Sequence, residues 1–393
     1  MKLIKLSNQA NQRHPRRTLL GSTALLTVSL LALAGCGSSS DPATDAAETS
    51  TEASTDTSAA AAGEPASLPK GSGELNFANW TDYTSPELLK KFETETGIKV
   101  NLSTYDSNES LLAKMQAGDS GYDVVVPSDY MVQQMAALDL LEDVGASSLP
   151  NGKNIDPTFL DAYFDQGRKY TVPYLFGTTG IAVDTKQVKN PPKTWKEFFN
   201  PTAETAGKIG LLNDQVEVLN AALKATGGTP CTNDPAAWEA VSALLKGFKS
   251  KVQVINSDDV IGRMSTGEQA MHMMWNGAFH RAQEKNKDLV YVFAGETINL
   301  WQDNLAVPKG AKNLDNAKIF LNFMADPVNS AIAVNAQGYG SGITGAGDAA
   351  SPALKANPAV NPPADLAALT KPTPPCDADT VLIYDKVWTE FKA

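Results

Sequence analysis

Cysteine and histidine are nearly missing from this 393-residue chain, with three of each. So few thiols and imidazoles leave no Cys/His cluster for a zinc or iron–sulfur centre and no disulfide-dense scaffold. No G-x-S-x-G nucleophile turn, internal repeat or coiled-coil heptad is present either. Positive charge is in short supply: 33 Lys and Arg stand against 44 Asp and Glu, a net charge of −11. Such a surface argues against nucleic acid and anionic lipid as partners and favours cationic ligands through its long-range field.

What is there begins with an apolar run at residues 19–34, LLGSTALLTVSLLALA, preceded by Lys2, Lys5, Arg13, Arg16 and Arg17. A basic start, a hydrophobic segment too short for a stable span and small residues before a cut site describe an export signal, residues 1–36. The ending Leu33-Ala34-Gly35-Cys36 resembles the bacterial lipobox, in which the Cys is lipidated and becomes the mature N-terminus; the alternative is an ordinary signal with an incidental Cys36. The Arg16-Arg17 pair leaves Sec and twin-arginine export both open. Losing the five basic residues of the signal takes the net charge from −11 to −16. Residues 37–70 carry almost no large apolar side chain and read as a disordered tether with a reach of roughly 30 Å. The chain is thus expected outside the cytoplasm, lipid-anchored to a membrane. With Cys36 assigned to lipid, Cys231 and Cys376 are expected to pair in an oxidising compartment. His14 falls in the signal, which leaves His272 and His280.

The folded remainder is long enough for two domains with real cores. Strand patterns at 74–79, 98–104 and 122–126 alternate with the helical stretches SPELLKKFETET and NESLLAKMQAG. Ser85 is placed to cap the first helix, Pro86 suits its first turn and Gly97 follows its end. This βαβαβ order predicts an α/β fold with a mostly parallel sheet, covered on both faces, in which ligands bind at the carboxyl ends of strands. The tail is a proline-rich run followed by one amphipathic helix with Val381, Leu382, Ile383, Val387 and Trp388 as its apolar residues.

Aromatic and acidic residues recur at those strand ends. Trp80, Asp82 and Tyr83 follow the first strand; Ser128 and Tyr130 follow the third; Asp214 and Glu217 sit at a later strand-to-helix junction, and Trp275 at another. Trp301 and Asp303 precede a buried strand, and Tyr339 lies in a Gly-rich loop that lacks the Lys of a phosphate-binding loop. Each has a plain structural reading: Asp82, Asp214 and Glu217 complement helix dipoles, while the aromatics fill cores. Together they predict a cleft walled by Trp80, Tyr83, Tyr130, Trp275, Trp301 and Tyr339, with Asp82, Asp214, Glu217 and Asp303 among them. Ring faces attract cations, carboxylates accept charge-assisted hydrogen bonds, and flat aromatic walls take methylenes out of water. A hydrocarbon chain bearing ammonium groups fits such a lining, and an anion does not.

The stretches NWTDY, FETETGIKV, STYDSNESLLAKM, YDVVVPSDY, VPYLFGTTGIAV, INSDD, MMWNGAF and WQDNLAVP, spread over about 73–346, resemble the polyamine (spermidine/putrescine) binding proteins of bacterial ABC importers. The resemblance implies a two-lobed periplasmic-binding-protein fold of type II, with two crossovers between lobes and the ligand cleft between them. It implies ligand contacts at Trp80, Thr81, Asp82, Tyr83, Ser128, Tyr130, Asp214, Glu217, Ser257, Trp275, Trp301, Asp303 and Tyr339. The spermidine branch carries a Trp-Gln pair near the C-terminus where this chain reads TPPCDADT. Putrescine relatives carry an acid where this chain has Ala278, yet Asp82 is the form associated with them. The choice between the two polyamines stays open, with a lean to spermidine.

The expected protein is therefore a monomeric receptor with no catalytic chemistry, cofactor or metal, handing a polyamine to a membrane permease. Lobe 1 is read as 71–177 plus 302–346, lobe 2 as 178–301 plus 347–393, with hinges near Gly177 and Trp301. Carboxylates ionising near about 4 and ammonium groups near about 10 predict binding that is flat across neutral pH. Two alternatives differ in class. The same fold would hold a quaternary amine, a sugar or a metal chelate, or Asp214 and Glu217 would serve as the carboxylate pair of a secreted hydrolase.

Overall fold

The computed structural model describes residues 70–295 and 297–393; the signal, the lipobox and nearly all of the tether lie outside them. Its first sheet starts with strand Glu74–Trp80, whose Leu75 and Phe77 point into the core and which pairs in parallel with Lys99–Tyr105. Between them helix Pro86–Thr96 begins at Ser85, whose Oγ accepts from the Leu88 N–H at 3.1 Å, and stops at Gly97, which adopts a left-handed φ of 81°. Leu88 and Phe92 form its buried stripe, and the Phe92 ring meets Phe320 and Phe323 at 4.9 and 5.2 Å. Helix Asn108–Gln116 follows, capped by Ser107.

The YDVVV stretch does not form a ladder of its own. Val124 makes one parallel bridge to Phe77 and Val125 one antiparallel bridge to Ala306, so the buried run is a spacer between two strands. The sheet is accordingly mixed rather than mostly parallel. Two long strands, Thr171–Asp184 and Ile298–Ala306, run antiparallel through the centre of the molecule. Beyond them Met271–Trp275 and Leu289–Val292 pair antiparallel to the far half of the first, and Ile209–Leu211 and Val252–Ile255 continue in parallel. A return strand crossing the molecule cannot be parallel to its neighbour, which is what the local βαβ pattern left out.

These crossing strands join two separate cores and give the fold its two lobes. Val172, Tyr174, Leu175, Leu305 and Val307 pack in one with Phe77 and Phe92; Ile181, Ala182 and Val183 pack in the other with Trp195, Phe198 and Leu219. Trp301 and Gly177 face each other across the ladder at the changeover. A Cβ at Gly177 would fall 2.6 Å from Trp301 Cζ2, so the indole lies flat against bare backbone there.

The proline-rich run holds two short helices, Pro352–Ala356 and Ala364–Ala367, and a strand, Thr370–Pro372, that pairs with Ile298–Leu300. Leu354 belongs to the first core and Ala359 to the second. The final helix, Ala378–Lys392, buries Thr380, Tyr384, Val387, Trp388 and Phe391, whereas Leu382 is 66% exposed. Its buried face is thus shifted from the one the apolar residues suggested, because Tyr384 is drawn inward by a hydrogen bond to Asn220 of 2.6 Å. A disulfide joins Cys231 to Cys376 just ahead of this helix. Among the described residues no helix is long and apolar enough to cross a membrane.

Candidate ligand-binding site

Most site side chains are set at or beside the end of an element. Trp80 closes its strand, with Nε1 held by the Val126 carbonyl at 2.9 Å. Buried Asn79 shapes the turn after it, accepting from Trp80 N at 2.8 Å and donating to the Tyr83 carbonyl at 3.1 Å. Asp82 sits in that turn at φ 55°, a left-handed conformation that a short polar side chain tolerates. Gly or Asn would fill the turn with less strain, so the aspartate is there for something other than backbone economy.

Ser128 occupies the N-cap of helix Asp129–Ala137 but makes no capping bond. Its hydroxyl instead donates to Asp303 Oδ1 at 2.6 Å. Asn108 braces the arrangement, accepting from Ser128 N at 3.1 Å while its amide donates to Ser128 Oγ at 3.1 Å and Tyr130 OH at 2.9 Å. Asp303 lies within a strand, not ahead of one, at a break in register between Gln302 and Asn304. One residue there faces Tyr174 and Leu175 together, a bulge that re-aims the carboxylate.

From the second lobe, Asp214 caps helix Gln215–Thr226 by accepting from Glu217 N at 3.0 Å. The plain capping role and the site position coincide in this residue. Glu217 Oε1 accepts from Asn299 at 2.7 Å, and Ser257 Oγ accepts from Asn213 N at 2.9 Å.

All thirteen residues named from the sequence line one cavity, with about 670 Å³ of free space that is partly open to solvent. Both lobes contribute. Trp80 and Trp275 meet edge to face at 6.2 Å, and the Tyr339 ring contacts Tyr83 at 5.5 Å and Trp301 at 5.2 Å. Three hydrogen bonds join the two walls of the cleft: a buried one from Ala278 N to Tyr339 OH at 3.0 Å, and two nearer solvent, Arg281 Nη1 to the Asp82 carbonyl at 3.1 Å and Asn213 Nδ2 to Asp106 at 2.7 Å. Six further residues line the cavity and escaped the sequence reading as candidates: Asp129, Asp258, Val260, Ile261, Ala278 and Arg281. Asp129 sat inside the Ser128–Tyr130 triplet and Asp258 inside the INSDD stretch, so both were within reach of it. Three buried donors of the lining, Tyr83 OH, Trp301 Nε1 and Arg281 Nε, make no hydrogen bond. The Tyr83 hydroxyl is near Asp303 but outside bonding geometry.

Burial raises the carboxyl groups. Asp303 is pushed up to about 7 by burial, against the stabilising bond from Ser128 and with some help from the charge of Asp214. Glu217 and Asp214 are both raised by burial, Glu217 further by its neighbour's charge. Asp129 is raised well above the usual range, again by burial. Solvent values do not apply to groups this dry, so behaviour that changes with pH near neutrality is expected in place of a flat response.

The sign for stability follows. A carboxyl at about 7 when folded and about 4 when unfolded binds its proton more tightly in the folded state. Its favourable contribution is complete below pH about 4 and is lost as pH rises through about 7, on the order of 4 kcal/mol. Asp303→Asn should thus raise the unfolding free energy of the ligand-free protein by about 1–3 kcal/mol at pH 8 and by little at pH 5. Urea unfolding at the two pH values checks this; equal destabilisation at both contradicts it.

A model of the bacterial extracellular solute-binding proteins matches residues 87–362. The chain is 36% identical over 318 residues to spermidine/putrescine-binding periplasmic protein 1 of Haemophilus influenzae, covering 80% of this chain and 87% of that protein. It is 37% identical over 275 residues to the spermidine/putrescine-binding periplasmic protein of Escherichia coli, covering 68% and 77%. Among solved structures, the spermidine/putrescine ABC transporter substrate-binding protein PotD of Streptococcus pneumoniae superposes with a TM-score of 0.66 at 32% identity, covering 81% of this chain and 98% of that one. The TpPotD lipoprotein of Treponema pallidum does so with 0.65 at 27% identity, covering 81% and 98%. With two lobes, crossing strands and a cleft between them matched across most of its length, this chain belongs to the bacterial extracellular solute-binding proteins.

Proposed function

We propose that the chain is an exported receptor that captures a polyamine, spermidine or putrescine, between its lobes and delivers it unchanged to an ABC import permease. One observation carries this: a single cavity combines Trp80, Trp275, Trp301 and Tyr339 with Asp303, Asp214 and Glu217, and only one basic side chain lines it. Such a site is short of positive charge and rich in flat apolar wall. An alkylammonium ligand supplies what it lacks. Each charge-assisted hydrogen bond contributes roughly 1.5–3 kcal/mol and each ring face about 0.5–2 kcal/mol. Methylenes sandwiched between indoles add about 0.8 kcal/mol each. Similarity to proteins named for spermidine and putrescine supports the same reading.

In this reading Tyr83 OH and Trp301 Nε1 complete their hydrogen bonding on the ligand or on water it orders. Thr81, Ser128, Tyr130 and Ser257 contact it or position what does, and Asp82 closes one end. Lobes of about 71–177 plus 302–346 and 178–301 plus 347–393 hinge near Gly177 and Trp301, and ligand touched by both favours the closed form. The receptor acts as a monomer held to a membrane by lipid on Cys36, with residues 37–70 as its tether. Replacing Cys36 with Ser should move it from the membrane pellet to the supernatant; retention in the pellet sinks the anchor.

Isothermal titration at pH 8 with spermidine, putrescine and maltose tests the function, with heat expected from the amines and none from the sugar. Affinity for the amines should fall as pH drops below about 7, by up to about tenfold per pH unit, since Asp303 must shed its proton to bind a cation. Asp303→Asn should lower affinity by about 10- to 100-fold at pH 8 and flatten this dependence. Amine binding that is constant from pH 8 to pH 5 contradicts the charge pairing.

A further inference from the structure

The cavity lining holds six carboxylates, Asp82, Asp129, Asp214, Glu217, Asp258 and Asp303, and a single cation, Arg281. A guanidinium in a site built for cations calls for a reason. The contacts set an order along the cleft. Arg281 Nη1 donates to the Asp82 carbonyl at 3.1 Å. Next comes Tyr339, whose ring meets Tyr83 at 5.5 Å. Tyr83 stands near Asp303, and Asp303 is bound by Ser128 at 2.6 Å. Asn108 ties Ser128 to Tyr130, and Asn213, the chain neighbour of Asp214, donates to Asp106, two residues before Asn108, at 2.7 Å, which brings Asp214 to that end.

Arg281 therefore marks one end and Asp214 with Glu217 the other, with Asp303 between them. The Arg281 end is positive for a second reason. Helix Asn276–Lys285 has no side-chain cap, and its first-turn Ala278 N–H points at the Tyr339 hydroxyl, 3.0 Å away. Buried Arg281 Nε makes no hydrogen bond, so one donor of the head group is left without a partner. It forms no ion pair with Asp82.

We propose that Arg281 is a specificity-determining residue that denies the Asp82 end of the cleft to a ligand ammonium, so that the charges of the bound chain fall at Asp303 and at Asp214–Glu217. The site then measures charge spacing: a chain with two ammonium groups at that separation is accommodated, and one that must place a further ammonium beyond Tyr339 meets a fixed like charge. This rests on the polyamine reading above, and it adds a length limit that the carboxylates alone do not impose.

The test is calorimetric titration of the wild type, Arg281→Gln and Arg281→Lys with putrescine, spermidine and the tetra-amine spermine. In Arg281→Gln the affinity for spermine relative to putrescine should rise about tenfold, since a like charge at the Asp82 end of the cleft is removed. Arg281→Lys, which keeps the charge, should hold the wild-type ratio. An unchanged ratio in Arg281→Gln overturns the assignment, as does a common loss for all three amines, which would mark Arg281 as a lobe-to-lobe contact only. A shift of the ratio in Arg281→Lys equal to that in Arg281→Gln overturns it too. If the wild type binds none of the three, the polyamine reading itself fails, a result separate from any of these.

Discussion

Negative charge buried without an ion-pair partner is the constraint around which this molecule is built. Asp303, Asp214 and Glu217 are nearly dry, and what touches them is hydroxyls, amides and backbone N–H groups. The charge of Lys224 reaches Glu217, but among the described residues none of the three makes an ion pair. Hydrogen bonds lower the cost of burying a carboxylate but do not cancel it, which is why burial still dominates and the groups hold their protons toward neutrality. A cation entering the cleft relieves that cost. Affinity here is in part the removal of a penalty that folding accepted.

The backbone supports this by giving up local comfort at the site. The Ser128 hydroxyl leaves its helix uncapped in order to hold Asp303, the ladder slips a residue opposite Asp303, and Asp82 takes a left-handed turn. Rigid surroundings make these choices affordable, with Trp80 and Asn108 locked by hydrogen bonds to elements far along the chain. Trp301 and Gly177 lie opposite each other where the two crossing strands change cores, the place of the proposed hinge, where a small twist of the ladder would move one wall of aromatics against the other. The Trp80–Trp275 contact and the three hydrogen bonds between the walls are what such a twist would make or break.

Much of the site was legible in the sequence because it is built at strand ends, and strand ends are marked by local patterns. Trp80, Asp214 and Trp275 could each be placed by a strand signal stopping and a helix signal starting. Arg281 could not, since it lies six residues into a helix and nothing local says that this turn meets another lobe. The same limit hid the mixed sheet. The resemblance put a lobe boundary at Gly177, but only long-range pairing shows that residues 171–184 form one continuous strand, antiparallel to its neighbours, whose two halves serve different cores. In the last helix, the burial of Tyr384 over Leu382 depends on Asn220 and Trp238, more than 140 residues away. The raised carboxyls were out of reach for a related reason, since a residue's letter carries its chemistry but not its distance from water.

The most direct measurement is the proton balance of ligand binding, taken by calorimetry with spermidine at pH 7 in two buffers of different ionisation enthalpy. If buried carboxyls are held partly protonated until a cation arrives, each binding event releases protons, about half of one or more per ligand with Asp303 near 7. Heats that are identical in both buffers, with binding intact, would mean the carboxylates were already ionised and that uncompensated burial is not what the cleft exploits.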